Sequence, residues 1–385
     1  MLVNKSTIKS LVGCSALLGT LAIGLSPEIG QAGAKISIDE ETFVTLGAGL
    51  RTGFTLTEDA APDGKSYKKD FSVQNVRLYI GGQLTDDWKF TVNTEEIFGE
   101  YGVLDAMIQY EPSPYFNVWA GRVLTPADRI EMNGPFYALT WNQYTIPFYA
   151  SDNDPQGRAG LYNRDDGVVV WGAVDKFQYA LGVFEGLSTE VNTTDSLLYA
   201  MRFAYNFLNK EQNPGYYTSS TYYGGLGDIL TLGFALQAQK DGVGSTAKNA
   251  EDFLGYSVDL LFEKVLGKSV VTFEGEYKVF DNDYVVADGD IDPFTLYDGT
   301  AMFTSLAFLL PEKTGPGKFQ PYLRYTQNTP DEGDSSSLSE LGVNYVINGH
   351  KLRLNANVTS GDASFTGTKA DESITTASFG VQYQI

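Results

Sequence analysis

The sequence predicts an all-β fold: a 16-stranded antiparallel transmembrane β-barrel with short periplasmic turns and long external loops. Three observations predict it. Apolar and polar residues alternate in segments of strand length, connectors are alternately short and long, and an export signal precedes the strands. The predicted strands are 41–55, 69–84, 87–97, 101–111, 115–122, 166–174, 176–185, 195–206, 229–240, 252–264, 268–280, 300–310, 317–328, 335–346, 349–360 and 373–385.

The alternation of apolar and polar residues is clearest near the C-terminus. One face there carries Leu352, Leu354, Ala356 and Val358, and the other carries Lys351, Arg353, Asn355 and Asn357. A barrel in a membrane needs this pattern, because one face meets lipid and the other meets water. A soluble β-sandwich would show the same alternation, so the pattern by itself leaves both folds open.

The connector lengths favour the barrel over the sandwich. Tight turns are predicted at 85–87, 112–114, 175, 265–267 and 348–350. The links between them are longer and mostly acidic: 56–68, 123–165, 186–194, 241–251, 281–299, 329–334 and 361–372. Outer-membrane barrels have this asymmetry between their two ends. Two connectors depart from it, since the link near Gly99 is short for an external loop and 207–228 is long for a periplasmic turn.

The first residues indicate export. Lys5 and Lys9 precede an apolar run at 11–25, and Ala32-Gly33-Ala34 has the small-residue spacing of a cleavage site. The run is shorter than the roughly 20 apolar residues that a membrane-spanning helix needs. We therefore predict a cleaved signal peptide at 1–34, a barrel domain at 35–385 and a location in the bacterial outer membrane.

The composition agrees with a chain that faces both lipid and water. Hydrophobic residues make up 43%, yet the mean hydropathy is only −0.17. The formal charge is −21, and −22 once the signal is removed, which argues against nucleic acid as a partner. Aromatic residues near strand ends are expected to form interfacial girdles in contact with lipid headgroups: Trp88, Tyr110, Tyr115, Trp119, Trp171, Phe177, Tyr205, Phe207 and Tyr325.

A long connector between Arg122 and Asp166 stands out. It contains Asn133-Gly134-Pro135-Phe136, Trp141 and Pro147-Phe148-Tyr149. Loops of this length in compact folds are functional or disordered, and the aromatic content argues against disorder. Folded into the lumen as the third external loop, this segment would narrow a channel.

Several motifs resemble the phosphate-selective porin O and P family. They are Val118-Trp119-Ala120-Gly121-Arg122 followed by Pro126, Arg164-Asp165-Asp166-Gly167-Val168, Tyr179 to Gly186, and Val76-Arg77-Leu78-Tyr79-Ile80-Gly81-Gly82 followed by Trp88-Lys89-Phe90. The resemblance is specific from about Phe71 to Gly186. It implies a homotrimeric outer-membrane porin whose third loop is the constriction, and whose basic residues draw small anions such as phosphate through the pore.

The basic residues of this chain only partly fit that family pattern. The candidates for the pore lining and constriction are Arg77, Lys89, Arg122, Arg129, Arg158 and Arg164. Between Arg122 and Asp166, four arginines and no lysine face six acidic residues. The arginines could guide anions, because guanidinium pairs well with phosphate, or they could be tied to nearby carboxylates to hold the loop. Both interpretations stay open.

Other function classes are less well supported. The only histidine, His350, lies in a predicted hairpin turn with no sequence pattern of a nucleophile beside it, so we predict no enzyme activity. Cys14 is the only cysteine and leaves with the signal. The acidic clusters at 281–283 and 288–292 lack EF-hand spacing and are expected to be solvated, so no metal or cofactor is predicted. The alternatives to a small-anion porin are a weakly selective or cation-preferring general porin and, less favoured, a plugged binding barrel or adhesin.

Overall fold

A computed structural model describes residues 33–97, 100–143, 145–147, 149, 163–187, 192–243, 250–282, 298–363 and 369–385. None of the helices in these ranges is long and apolar enough to cross a membrane. The elements are β1 (Ala34–Ser37), β2 (Phe43–Thr57), β3 (Lys68–Gln83), β4 (Trp88–Ile97), β5 (Glu100–Ser113), β6 (Phe116–Leu124), α1 (Arg129–Tyr137), β7 (Arg164–Val174), β8 (Phe177–Phe184), β9 (Leu198–Asn206), β10 (Ile229–Val243), β11 (Glu251–Leu266), β12 (Ser269–Asp281), β13 (Gly299–Leu309), β14 (Lys318–Pro330), β15 (Ser336–Asn348), β16 (Leu352–Ala363) and β17 (Lys369–Gln384).

The strands from β2 to β17 form a closed barrel of sixteen. Each pairs antiparallel with the next along the chain, and β17 closes on β2 with Val381 opposite Thr52. Closure removes every open sheet edge, which a sheet in lipid requires. Each predicted strand matches one of these sixteen within four residues at either end. The predicted fold class is confirmed, and the sandwich is excluded.

One strand was not predicted. Strand β1 pairs with the start of β2, with Ala34 opposite Leu46. Along β2, the residues that pair with β1 come just before Ala48, whose carbonyl accepts a hydrogen bond at 2.9 Å from the amide of the chain's last residue, Ile385. The predicted signal peptide overlaps it by one residue. The rest of that segment lies outside the described residues, so the signal stays a prediction.

The two faces of the barrel separate as the alternation predicted. On β16, Arg353, Asn355 and Asn357 are buried towards the lumen, while Ala356 and Val358 are exposed on the outside. The other strands repeat this pattern, with large apolar side chains exposed on the outer wall and polar ones turned inward. An outer wall of this kind is matched to lipid rather than to water.

The two ends of the barrel differ as expected. At the end that holds the C-terminus, the connectors between consecutive strands are short except for the one between β9 and β10. Two-residue hairpins there require a positive φ at the first turn residue, which Asp175 (51°) and Gly267 (64°) supply. At the other end, β4 ends at Ile97 and β5 begins at Glu100, so this external link is short. The two connectors that the sequence marked as exceptions, the short external link near Gly99 and the long link 207–228, are therefore exceptions in the structure as well.

Two of the predicted girdle residues were wrongly assigned. Trp88 is 47% exposed at the turn end and contacts Tyr110, as a girdle residue should. Trp119 is only 2% exposed and points into the lumen, where Trp171 packs against it with ring centroids 5.3 Å apart. Proximity to a strand end does not decide which way a side chain faces. The strand register does, and it turns these two inward.

Candidate pore constriction

The connector between β6 and β7, residues 125–163, is named L3 here. It opens with α1, whose N-cap Asp128 accepts a hydrogen bond from the Glu131 amide at 3.0 Å. Gly134 has a φ of 63° and is followed by Pro135, so the helix kinks there. The kink turns the chain across the lumen instead of along the wall.

The described part of L3, residues 125–143, 145–147, 149 and 163, lies inside the barrel, as predicted. Trp141 is 3% exposed and Tyr149 is completely buried. Their rings approach the wall where it has no side chain: a Cβ on Gly380 would lie 2.1 Å from the Trp141 ring, and one on Gly255 would lie 2.6 Å from Tyr149. Glycine at these two wall positions lets the aromatic rings of L3 sit against the backbone of the sheet.

The wall also satisfies the backbone of L3. Loop carbonyls taken out of bulk water need donors, and lumen-facing side chains from most of the barrel circumference provide them. The donors and their acceptor carbonyls are Gln237 to Pro126 (3.1 Å), Arg202 to Ala127 (3.0 Å), Gln382 to Phe136 (2.9 Å), Arg353 to Ala138 (2.7 Å), Asn344 to Leu139 (2.9 Å), Arg51 to Trp141 (2.8 Å), Arg324 to Gln143 (3.0 Å), Asn328 to Thr145 (3.0 Å) and Lys278 to Pro147 (3.0 Å).

The strongest of these anchors is Lys278 on β12. Its ammonium group is fully buried and forms ion pairs with both Asp128 and Glu131 at the start of L3. It also donates to the Pro147 carbonyl and lies 4.3 Å from the centre of the Tyr149 ring. One lysine therefore ties the beginning and the far part of L3 to the same place on the wall.

The predicted basic residues are paired with carboxylates. Arg122 does not line the pore as predicted, because the strand register places it opposite the outward-facing Ala106 on the outer face of β6. Arg158 lies outside the described residues. The pairs of the others are Arg77 with Glu95 (2.7 Å), Lys89 with Glu111 (2.6 Å), Arg122 with Asp166 (3.1 Å), Arg129 with Glu211 (2.7 Å) and Asp259 (3.2 Å), and Arg164 with Asp105 (2.9 Å). A paired guanidinium presents less net charge to a passing ion than a free one. The geometry therefore matches the second interpretation in that acids tie the arginines in place. Among the described residues, only Arg122 pairs with one of the nearby acids that the sequence suggested, whereas Arg129 and Arg164 pair with carboxylates outside 122–166.

The buried charges of the described residues nearly balance. Eight basic side chains are buried: Arg51, Arg77, Arg129, Arg164, Arg202, Lys278, Arg324 and Arg353. Nine acidic side chains are buried with them: Glu95, Asp105, Asp128, Glu131, Asp259, Glu263, Glu274, Glu276 and Glu340. Arg353 differs from six of these basic residues, because it forms no ion pair with any described residue and uses its donors on carbonyls and an amide. The six with ion pairs are Arg77, Arg129, Arg164, Arg202, Lys278 and Arg324.

Strand alternation puts Lys278, Arg202 and Arg353 on the polar face that is expected to line the lumen, but the sequence indicates no particular role for any of them. Glu274, Glu276 and Lys278 alternate with other residues along one strand, so the sequence indicates that all three share one face. This pattern could have identified them as a charged cluster in the lumen. The L3 partners of Glu276 and Lys278 lie over a hundred residues away in the chain. No local pattern could have identified those contacts.

His350 lies in the turn between β15 and β16, as predicted. Its Nε2 is 2.9 Å from the Thr221 carbonyl and 3.3 Å from the Ser219 hydroxyl. A carbonyl only accepts, so Nε2 carries the proton and cannot serve Ser219 as a base. Burial, and then the nearby Arg353 charge, lower the pKa of His350 to about 3, which keeps the ring neutral at pH 7.

Comparison with known proteins supports the same fold. No family model and no curated protein sequence matches this chain. Among solved structures, it is similar to OmpT expressed in the outer membrane of Vibrio cholerae (13% identity, TM-score 0.57), the anion-selective porin of Comamonas acidovorans (17%, 0.57) and Salmonella typhi OmpF in complex with daunomycin (12%, 0.57). The alignments cover 91%, 90% and 91% of this chain, respectively, and all of each of the other chains. The fold is that of the bacterial outer-membrane porins.

Proposed function

We propose that this protein is an outer-membrane porin through which small hydrophilic solutes diffuse passively. The observation that carries the proposal is a closed barrel with an apolar outer wall and a polar lumen narrowed by an inward L3. Such a barrel needs no catalytic step or cofactor, because pore width and wall charge decide what passes. The partners would be the solutes themselves and the surrounding outer-membrane lipid.

Weak ion selectivity fits the lumen best. The predicted pore arginines are offset by carboxylates within hydrogen-bond distance, and the buried charges nearly balance. The second candidate is selectivity for small anions such as phosphate, as the resemblance to the phosphate-selective family implies. Arg353 favours this candidate because it holds a lumenal positive charge without an ion pair to any described residue. The anion-selective porin of Comamonas acidovorans has a similar fold.

A homotrimer is the proposed assembly. At the seam where β17 meets β2, Leu46, Leu50 and Phe379 are each more than 40% exposed on the outer wall. Apolar surface of this kind can face lipid or another barrel. One solved form of the Vibrio cholerae OmpT is described as a trimer.

Single-channel recording in a planar lipid bilayer tests the pore. We expect stable conductance from the purified protein and a severalfold higher conductance when residues 131–160 of L3 are deleted. Heat-modifiable migration in gels controls for barrel folding. A folded wild-type protein that never conducts would refute the porin and favour a plugged binding barrel.

A further inference from the structure

We propose that the connector between β9 and β10, residues 207–228, is a second constriction that enters the lumen from the end opposite L3 and limits flow through the pore. This segment is called the crossing connector here. The inference rests on the proposed porin function. Its basis is the set of contacts that the connector makes across the barrel interior.

The crossing connector starts and finishes as an ordinary hairpin. The Phe207 amide donates to the Leu230 carbonyl at 2.7 Å, and the Asn209 amide donates to the Asp228 carbonyl at 3.1 Å. A two-residue turn could close the chain at this point. The residues between Asn209 and Asp228 are therefore not needed to join the strands, and they run into the lumen instead.

The first lumenal part packs on the wall formed by β6 and β8. The Tyr216 ring lies 5.2 Å from that of Trp119, and the Gln178 side chain donates to the Gly215 carbonyl at 3.1 Å. Gly215 has a φ of 55°, and a Cβ there would lie 2.2 Å from the Trp119 ring. This contact covers the Trp119 ring, which the strand register already turns inward.

The middle part docks on α1. Arg129 pairs with Glu211, and the Thr218 hydroxyl donates to the Arg129 carbonyl at 2.8 Å. One turn further along α1, the Asn133 amide donates to the Ser220 hydroxyl at 2.5 Å. L3 and the crossing connector thus meet in the middle of the lumen and satisfy each other's polar groups.

The last part reaches the opposite wall. Glu263 on β11 accepts hydrogen bonds from the Thr221 hydroxyl (2.8 Å) and the Gly224 amide (2.7 Å). Tyr223 then packs against Val270, Leu309 and Val346 on β12, β13 and β15. In the strand order, β6 and β14 are eight strands apart and therefore face each other across a barrel of sixteen. The connector spans this whole diameter.

A cavity lies between the crossing connector and the wall, with Lys176 and Arg202 on the wall side and Asn213 and Tyr217 on the connector side. It offers solutes a route past these side chains. Removal of the connector should therefore widen the pore without altering the strands.

The decisive variant replaces residues 210–227 with Asn-Gly, which closes the hairpin at Asn209 and Asp228 and leaves L3 intact. We expect single-channel conductance to rise severalfold above wild type. The matched control shortens the exposed loop between β2 and β3 and should leave conductance unchanged. A folded deletion with wild-type conductance would overturn the inference and leave the porin function standing. Absence of conductance in both wild type and deletion would overturn both.

A second measurement covers a deletion that fails to fold. The mature chain has no cysteine if the predicted signal is removed, so Asn213→Cys would be its only thiol. Positively and negatively charged methanethiosulfonate reagents at this position should shift the reversal potential in opposite directions. Ser66→Cys, exposed in the loop between β2 and β3, should show no shift. Equal behaviour of the two cysteine variants would place the crossing connector outside the ion path.

Discussion

Replacing Lys278 with methionine should release L3 from the wall. The substitution keeps most of the side-chain length but leaves Asp128 and Glu131 without their shared cation. Breaking a buried ion pair by removing one partner costs about 3–5 kcal/mol. Since each 1.4 kcal/mol is a factor of ten, the undocked fraction of L3 should rise by roughly 10² to 4 × 10³-fold. The barrel itself should stay folded, because no strand hydrogen bond is lost.

Single-channel recording measures this effect. We expect the Lys278→Met variant to fluctuate between the wild-type level and a higher one, or to stay at the higher level. Adding Asp128→Asn and Glu131→Gln removes the uncompensated charges, and should return much of the stable wild-type behaviour. Asparagine is also an acceptable N-cap for α1.

The matched control is Lys264→Met on the neighbouring strand β11. Lys264 pairs with Asp228, but its side chain is 46% exposed, and exposed pairs contribute at most about 1 kcal/mol. This variant should conduct as wild type does. A Lys278→Met protein with the same single, steady level as wild type would refute the anchoring role of the lysine.

Three further predictions concern charge, acid and assembly. The Arg77→Ala, Lys89→Ala double variant leaves Glu95 and Glu111 in the lumen without their cations, so its reversal potential in a potassium chloride gradient should move towards cation preference. Adding Arg122→Ala should change nothing further, because Arg122 lies on the outer face; no movement in the double variant would place Arg77 and Lys89 outside the ion path. The pKa of His350 is about 3 in the folded protein and about 6.5 in the unfolded chain. The free energy that keeps its turn docked is therefore constant above pH 6.5 and falls by about 1.4 kcal/mol for each pH unit below that value, down to about pH 3. Conductance should therefore rise from pH 7.5 to 5, and a His350→Gln variant should rise less; identical pH profiles would contradict this. The unheated protein should migrate in mild detergent as a trimer that heat converts to monomer, and a monomer alone would exclude the homotrimer.

The sequence by itself determined the barrel. Strand alternation fixes which residues face lipid, and it assigned Lys278, Arg202 and Arg353 to the lumen correctly because the period of a strand is two. Short and long connectors alternate along the chain, and this alternation distinguished the periplasmic end of the barrel from the external end. The length and aromatic content of L3 indicated an ordered, functional loop, and the family resemblance added that it folds inward.

Only the tertiary structure decided what the lumenal charges do and where 207–228 goes. Arg129 meets Glu211 and Asp259, which are far away in the chain, so no local spacing could reveal that its charge is offset. The same holds for the burial of Trp119, because the Tyr216 ring that covers it comes from the crossing connector. Contacts between a loop and a distant wall depend on closure of the whole barrel, and that information is spread over all sixteen strands.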